Sequence, residues 1–314
     1  MITAPSRFPL AVLPTPLVPA PRLSAAIGRD VWIKRDDLTG FAVGGNKVRP
    51  LEVLVADALE ARCDHLVGCG GPGSNLCSAL AAAAATAGLG CSLVLYGQEP
   101  AATHPNLTVM RSFGARVEFT GDPDRAATPH HAAAVAARLE AEGCHPYVVP
   151  RGAATGLGAT AYALAGRELA DQLTFEPAHV VTAVGSGGTA AGLLAGWTPA
   201  GLPGRLVGVA VSRPLDETQR EILRLAGEAA AMLGFETPPS DRLLLLDGLG
   251  AGFGRADGTT CAARRLALHT EGILADTTYV ARAIAALGSL DGPLVLWHTG
   301  GWLGFVGDAM GAGH

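Results

Sequence analysis

Short apolar runs alternate with longer stretches rich in alanine, leucine and glutamate along most of this chain. The runs are four to seven residues long and rich in β-branched side chains, which is the pattern of buried strands. They lie at residues 31–34, 65–69, 91–96, 116–119, 147–150, 179–184, 205–211 and 293–298. Strands that alternate with helical stretches predict an α/β fold with mostly parallel sheets covered by helices.

Residues 68–98 contain no charged side chain, and the stretch is long enough to raise the question of a membrane span. It is interrupted near both ends by Gly70, Gly71, Pro72, Gly73, Gly88 and Gly90. These interruptions divide it into a strand, a glycine turn, an alanine-rich helix and a second strand. We therefore predict a buried βαβ unit and no membrane association.

The composition fits a globular chain with large cores, because 49% of the 314 residues are apolar and 16% are charged. The formal charge of -5 and the lack of a basic stripe argue against a nucleic-acid partner. The six cysteines form no CxxC pair and no Cys/His cluster, so we expect no metal site and a reduced, cytoplasmic protein. Prolines break the first 21 residues, which do not form a signal peptide.

Three glycine-rich turns follow predicted strands, and ligands of parallel sheets bind at the carboxyl ends of strands. In "GCGGPGSN" (68–75), Ser74 and Asn75 fall at a helix start, where such side chains cap the helix and free N–H groups attract anions. "AVGSGGTAAG" (183–192) lacks the GK[ST] of a P-loop, but its backbone N–H groups and hydroxyls suit a phosphate. The third turn is "WHTGGWLG" (297–304).

A fourth glycine-rich stretch, "TGFAVGGNKVRP" (39–50), places two glycines and an asparagine directly before Lys47. Glycines let a backbone turn sharply or approach a ligand closely. The stretch therefore predicts that Lys47 lies in a tight pocket at the start of a helix and not on the surface.

Together these stretches resemble a known family. "KRDDLTGFAVGGNKVR" (34–49), "GGPGSN", "AVGSGGTAAGL", "EGILADTTY" (271–279) and "HTGG" (298–301) occur in that order. They resemble the pyridoxal-phosphate enzymes of the tryptophan-synthase-β fold (fold type II), and within these the 1-aminocyclopropane-1-carboxylate deaminase and D-cysteine desulfhydrase group. The resemblance implies two domains, each a mostly parallel twisted sheet flanked by helices. Residues 1–50 with 156–314 would form the large, cofactor-binding domain, residues 51–155 the small one, and two chains a homodimer.

The resemblance also implies a role for each matching residue. Lys47 would carry pyridoxal 5'-phosphate as a Schiff base, since a lysine amine condenses with an aldehyde. Asn75 would bond the ring hydroxyl, and Thr299 would face the ring nitrogen. Ser74 would lie against the substrate, and Tyr279 would be an acid or hydrogen-bond donor. The phosphate would be held by Gly185, Ser186, Gly187, Gly188 and Thr189.

Several positions depart from the family pattern. Leu76 stands where a histidine is common, and Phe253 replaces the tyrosine implicated in cyclopropane ring opening. Phe253 has no hydroxyl, so we do not expect cyclopropane deamination. Val280 and Pro50 replace residues near the ring nitrogen and the phosphate, and "GPGSN" replaces "IQSN". These changes predict a more apolar substrate pocket lined by Ser74, Asn75, Leu76, Phe253 and Tyr279, and a substrate other than D-cysteine.

The function predicted from this resemblance is a lyase that deaminates a small β-substituted amino acid. It would remove the α-proton, with Lys47 or Ser74 as the base, and eliminate the β-substituent through aminoacrylate. The sequence leaves open a β-replacement synthase and an amino-acid racemase, because replacement shares every step as far as aminoacrylate. A cofactor-binding protein without catalysis is the alternative of another class.

Overall fold

The computed structural model describes residues 5–236, 238 and 240–311. Within these residues the chain forms ten strands. They are β1 (Leu17–Pro19), β2 (Val31–Arg35), β3 (His65–Gly70), β4 (Gly90–Leu95), β5 (Arg116–Phe119), β6 (Pro146–Val149), β7 (His179–Val184), β8 (Arg205–Ala210), β9 (Leu243–Asp247) and β10 (Leu294–His298).

Eleven α-helices connect or flank these strands in the described part of the chain. They are α1 (Pro21–Ile27), α2 (Val48–Glu60), α3 (Asn75–Ala87), α4 (Pro105–Ser112), α5 (Thr128–Ala141), α6 (Gly156–Gln172), α7 (Gly188–Ala200), α8 (Leu215–Leu233), α9 (Gly258–Glu271), α10 (Val280–Ala286) and α11 (Trp302–Ala309). Short 3₁₀ turns add Asp36–Leu38, Arg151–Ala153, Ser240–Arg242 and Leu287–Ser289.

The strands form two sheets. The six-stranded sheet has the order β1-β2-β10-β7-β8-β9, and the four-stranded sheet has the order β5-β4-β3-β6. Every pairing is parallel except that of β1 with β2, which is antiparallel. The prediction of an α/β fold with mostly parallel sheets is therefore confirmed. The strands of the smaller sheet lie between residues 65 and 149, so they are inserted between β2 and β7 of the larger one.

All eight predicted strands form, and β1 and β9 are two that the pattern did not predict. The uncharged stretch is a βαβ unit, as expected, since β3 and β4 are parallel neighbours joined by α3. None of the helices among the described residues is long and apolar enough to span a membrane. Helix α2 runs through the predicted boundary between residues 50 and 51, so the two predicted domains share this helix and their limits stay a prediction.

A buried charged cluster lies beneath the stretch that contains Lys47, and we call it the Asp36 cluster: Thr15, Lys34, Asp36, Arg49, Tyr162, Glu168, Gln172 and Trp297. Asp36 accepts hydrogen bonds from Arg49 (Nε to Oδ2, 3.0 Å), Tyr162 (2.7 Å) and the indole of Trp297 (2.9 Å). Arg49 also donates to Glu168, which accepts from Lys34. The cluster connects β2, α2, α6 and β10, and it fixes the backbone on which the glycine turn begins.

Candidate active site

A cleft between the two sheets contains the side chains that the sequence singled out. It lies at the carboxyl ends of β3, β7 and β10, where the turns after these strands face one another. All twelve predicted site residues line it, which are Lys47, Ser74, Asn75, Leu76, Gly185, Ser186, Gly187, Gly188, Thr189, Phe253, Tyr279 and Thr299. The structure therefore brings together residues that are separated by up to 252 positions in the chain, between Lys47 and Thr299.

The turn before Lys47 depends on glycine. Gly45 has a φ of 90°, and a Cβ at this position would lie 2.9 Å from the carbonyl oxygen of Thr299. The next residue, Asn46, donates its backbone N–H to that oxygen (2.9 Å) and its side-chain amide to Thr189 (3.0 Å). These hydrogen bonds join the turn to the segments that follow β10 and β7. Helix α2 starts directly after Lys47, as predicted.

Lys47 lies at the base of the cleft with one polar neighbour. Its Nζ donates to the carbonyl oxygen of Gly152 at 3.2 Å. Gly152 has a φ of 75°, and a Cβ on it would lie 2.2 Å from Ser186 Oγ and 3.9 Å from the lysine Nζ, so only glycine fits here. No carboxylate of the described residues forms an ion pair with this amine, and burial lowers its pKa to about 8.

Lys47 has one possible competitor, because the chain contains only two lysines. The other, Lys34, has a fully buried side chain and belongs to the Asp36 cluster. Its Nζ donates to Glu168 (2.5 Å), Gln172 (2.6 Å) and the carbonyl oxygen of Thr15 (2.6 Å). All three of its donors are used, so Lys47 is the lysine amine available for chemistry.

The turn after β3 presents Ser74 and Asn75 to the cleft. Ser74 is the N-cap of α3, and its Oγ accepts the N–H of Cys77 at 3.2 Å, as the sequence predicted. The side-chain oxygen of Asn75 accepts a hydrogen bond from Asn106 (3.1 Å), which orients its amide. This turn therefore offers a hydroxyl, an oriented amide and a helix N-terminus opposite Lys47.

The turn after β7 is shaped to receive an anion. Helix α7 starts at Gly188, so the N–H groups of its first turn lack partners within the helix. Two side chains that follow β8 donate hydrogen bonds to the carbonyl oxygens of the turn. Ser212 Oγ donates to Gly185 (2.8 Å), and Arg213 donates to Gly185 (3.2 Å) and Ser186 (2.9 Å). A phosphate fits such a turn.

Phe253 and Tyr279 form the wall between these two turns. Their rings meet edge to face with centroids 6.1 Å apart. The Tyr279 ring lies 2.9 Å from where a Cβ on Gly185 would be, so that glycine makes room for the ring. Burial raises the pKa of the Tyr279 hydroxyl, which stays protonated and able to donate.

Comparisons with known proteins agree with this geometry. The family model described as "Pyridoxal-phosphate dependent enzyme" matches residues 9–300. The chain belongs to this family. It is 37% identical to a D-cysteine desulfhydrase of Salmonella newport (strain SL254) over 317 residues, covering 94% of this chain and 95% of that one.

Two solved structures also resemble this chain. The crystal structure of an ACC deaminase homologue superposes with a TM-score of 0.92 and 34% identity, covering 98% of this chain and 95% of the other. A fungal L-serine ammonia-lyase from Rhizomucor miehei gives a TM-score of 0.71 at 18% identity, over 93% of this chain and 94% of that one. The second likeness concerns the fold alone. The predicted tryptophan-synthase-β-like fold is confirmed.

The residues of this family member fit pyridoxal phosphate. The cofactor needs a neutral amine, a phosphate site and polar contacts for its ring. Lys47 supplies an amine of lowered pKa, and the turn of residues 185–189 supplies unpaired N–H groups next to it. Thr278 also lines the cleft, and its Oγ1 is buried without a partner among the described residues.

The sequence reasoning missed several residues that line the cleft, which are Asn46, Tyr96, Arg125, Arg151, Ser212, Asp276 and Thr278. Asp276 and Thr278 lie within the quoted stretch "EGILADTTY", so that signal was present. Arg151 follows a predicted strand directly, which is itself a signal, whereas Arg125 lies in a loop without a pattern. The guanidinium groups of Arg125 and Arg151 join Leu76 and Phe253 in the lining, and the more apolar substrate pocket stays a prediction.

Proposed function

We propose that this chain is a pyridoxal-phosphate-dependent lyase that deaminates a small β-substituted amino acid by β-elimination. One observation carries the proposal: of two lysines, the one in the cleft has an amine of lowered pKa, without an ion pair among the described residues, between a phosphate-shaped turn and a polar helix N-terminus. The names of the relatives, D-cysteine desulfhydrase and ACC deaminase homologue, support the same reaction class.

The proposed site would hold the cofactor in three places. Lys47 would hold it covalently, the N–H groups of residues 185–189 would bind its phosphate, and Asn75 and Thr299 would contact its ring. Bound in this way, pyridoxal phosphate withdraws electrons from the substrate's α-carbon and so acidifies the α-proton. The hydroxyl of Thr278 is a further candidate for a ring or substrate contact, because it has no partner of its own.

The side chains around the substrate then act in order. The N–H groups and the hydroxyl at the start of α3 bind and orient the α-carboxylate. Lys47, whose amine is free once the substrate's amine has taken its place, or Ser74 takes the α-proton, and both side chains line the cleft. The electron pair of the Cα–H bond forms Cα=Cβ while the β-substituent leaves with the electrons of its bond. Tyr279, protonated because of its raised pKa, donates a hydrogen bond to that leaving group. Water converts the released aminoacrylate to a keto acid and ammonia.

The site's two sides belong to the two sheets, and we propose that they correspond to domains of residues 1–50 with 156–314 and of residues 51–155. Movement of the smaller one, which carries Ser74 and Asn75, closes the cleft and excludes water during the reaction.

We also propose that the protein is a homodimer in the cytoplasm. Light scattering of the purified protein tests the homodimer, and a mass equal to that of one chain would contradict it.

The test of the lyase uses the purified holoenzyme. We expect visible absorbance, keto acid and ammonia from at least one member of a panel of D- and L-amino acids with β-leaving groups, and loss of both in Lys47→Ala. Borohydride reduction followed by peptide mass mapping shows which lysine carries the cofactor, and the fully bonded Lys34 is the internal control. Absorbance changes without keto acid would instead indicate replacement or racemisation, and a protein that stays colourless with added cofactor would refute the assignment of Lys47.

A further inference from the structure

Two arginines line the cleft, and the roles proposed above leave both without a function. Arg125 lies in the loop between β5 and α5, and Arg151 follows β6 directly. Both come from the part of the chain that forms the four-stranded sheet. They share the lining with Tyr96, Phe253 and Tyr279.

The structure holds both guanidinium groups in place. Arg151 Nη1 donates to the carbonyl oxygen of Arg125 at 3.1 Å, and Arg125 Nη2 donates to the carbonyl oxygen of Ser212. The guanidinium carbon of Arg125 lies 4.5 Å from the centre of the Phe253 ring. A guanidinium has five N–H donors, and these hydrogen bonds use one from each arginine. The contact with Ser212 also spans the cleft, because Ser212 follows β8 of the other sheet.

Among the described residues, neither arginine lies within ion-pair distance of a carboxylate. Burial lowers the pKa of the neighbouring Arg213, and the charges of Arg151 and Arg125 lower it further. Asp276 lines the cleft but accepts from the N–H groups of Tyr279 and Val280, and burial raises its pKa to about 7. Neighbouring like charges without an anion are unfavourable.

From this placement we infer that Arg125 and Arg151 bind an anionic group, such as a carboxylate, sulfonate or phosphate, carried by the substrate's β-substituent. The inference rests on the proposed lyase function and names its substrate class. The phosphate turn has its own N–H donors, and the α3 N-terminus serves the α-carboxylate, so a second acidic group is the anion left to pair with them. Planar guanidinium groups bind such anions with paired hydrogen bonds.

The same arginines assist the elimination. When the Cβ–X bond breaks, X leaves with both electrons of that bond and its negative charge rises by one. The α-proton goes to the base, and water supplies the atoms that turn aminoacrylate into keto acid and ammonia. Two fixed cations beside the leaving group stabilise the charge that develops there. Neutral leaving groups of the same shape gain less from this arrangement.

A matched pair of substrates tests the inference. S-carboxymethylcysteine and S-carbamoylmethylcysteine have nearly the same shape and differ in one negative charge. We expect the holoenzyme to prefer the charged member of the pair, in its D or L form, by about 100-fold in kcat/KM, since a buried charged contact is lost with the amide. Arg151→Gln and Arg125→Gln should each lower this ratio at least tenfold. Arg220→Gln, which changes an exposed arginine outside the lining of the cleft, should leave it unchanged.

A binding measurement separates this inference from the lyase proposal. The compounds 2-aminoadipate and its side-chain amide copy the two substrates but have no leaving group, so calorimetry on the holoenzyme reports recognition alone. Tighter binding of 2-aminoadipate that is lost in Arg151→Gln, without keto acid from any substrate, would support the anion site and contradict the lyase. Equal use of both cysteine derivatives, an equal loss on both in the arginine variants, or weaker binding of the cofactor itself in those variants would overturn the inference.

Discussion

Two regions of this molecule gather positive charge, and they balance it in opposite ways. In the Asp36 cluster, Arg49 and Lys34 lie against Asp36 and Glu168, so two cations face two anions. In the cleft, Lys47, Arg125 and Arg151 face no carboxylate at ion-pair distance among the described residues. The first arrangement is complete in the protein alone. The second is complete only with anionic ligands, so positive charge without an anionic partner marks the site.

The comparison predicts that breaking a paired charge is costly. Asp36→Asn leaves one buried cation in excess beside Glu168, and we expect the free energy of unfolding to fall by about 3–5 kcal/mol at pH 7. Urea unfolding of the two proteins measures this difference. Asp171→Asn is the control, because the Arg167–Asp171 pair is about two-thirds exposed and contributes less than about 0.5 kcal/mol.

The same variant has a predictable pH dependence. Burial opposes ionisation of Asp36, but the charge of Arg49 and the hydrogen bonds from Arg49, Tyr162 and Trp297 together outweigh it and keep the pKa of Asp36 below its ordinary value in the folded protein. The stabilisation is therefore present above the unfolded pKa and is lost as the pH falls through the lower folded one. A difference between wild type and Asp36→Asn that stays constant down to pH 2 would contradict the pairing.

The second prediction uses one substitution in both regions. In the cofactor-free protein, Lys47→Met should raise the free energy of unfolding at pH 7 by on the order of 1–2 kcal/mol, because it removes an unpaired buried amine. Lys34→Met should lower it by about 3 kcal/mol, since it leaves the side-chain oxygen of Gln172 without its donor and removes the cation that pairs with Glu168 beside Arg49. Opposite signs of the two changes in the free energy of unfolding would support the contrast between the Asp36 cluster and the cleft, and equal signs would contradict it.

The gain from Lys47→Met should also depend on pH. Its pKa is about 8 in the folded protein against an ordinary 10.5, so charging the amine opposes folding. The penalty is fully present below pH 8, fades between pH 8 and 10.5, and is absent above that range. Denaturant unfolding of wild type and Lys47→Met from pH 7 to 10.5 measures this convergence. Parallel curves across the range would mean that the amine is not desolvated.

The sequence predicted the fold and the site residues better than it predicted the site's electrostatics. Periodicity found the eight apolar strands, but β1 is three residues long and β9 is a leucine run that a helix could equally contain. Ordered glycine turns located Lys47, Ser74 and the turn of residues 185–189. Arg125 and Arg151 were missed because an arginine in a loop resembles a solvated surface charge. Whether such an arginine has an acidic partner depends on how the two sheets pack against each other. No local sequence pattern contains that information.

The smallest predicted effect concerns two hydroxyls that have no partner among the described residues, Thr278 Oγ1 and Thr182 Oγ1. Replacing either by valine keeps the shape and removes an unsatisfied buried group, so each cofactor-free variant should be unchanged or more stable by up to about 1 kcal/mol. The two differ in place, because Thr278 lines the cleft and Thr182 lies within β7. Thr278→Val should therefore lose about tenfold in kcat/KM on the best substrate, while Thr182→Val keeps it. Equal activities in the two variants would mean that an orphaned hydroxyl in the cleft has no more relation to ligand binding than one in the core.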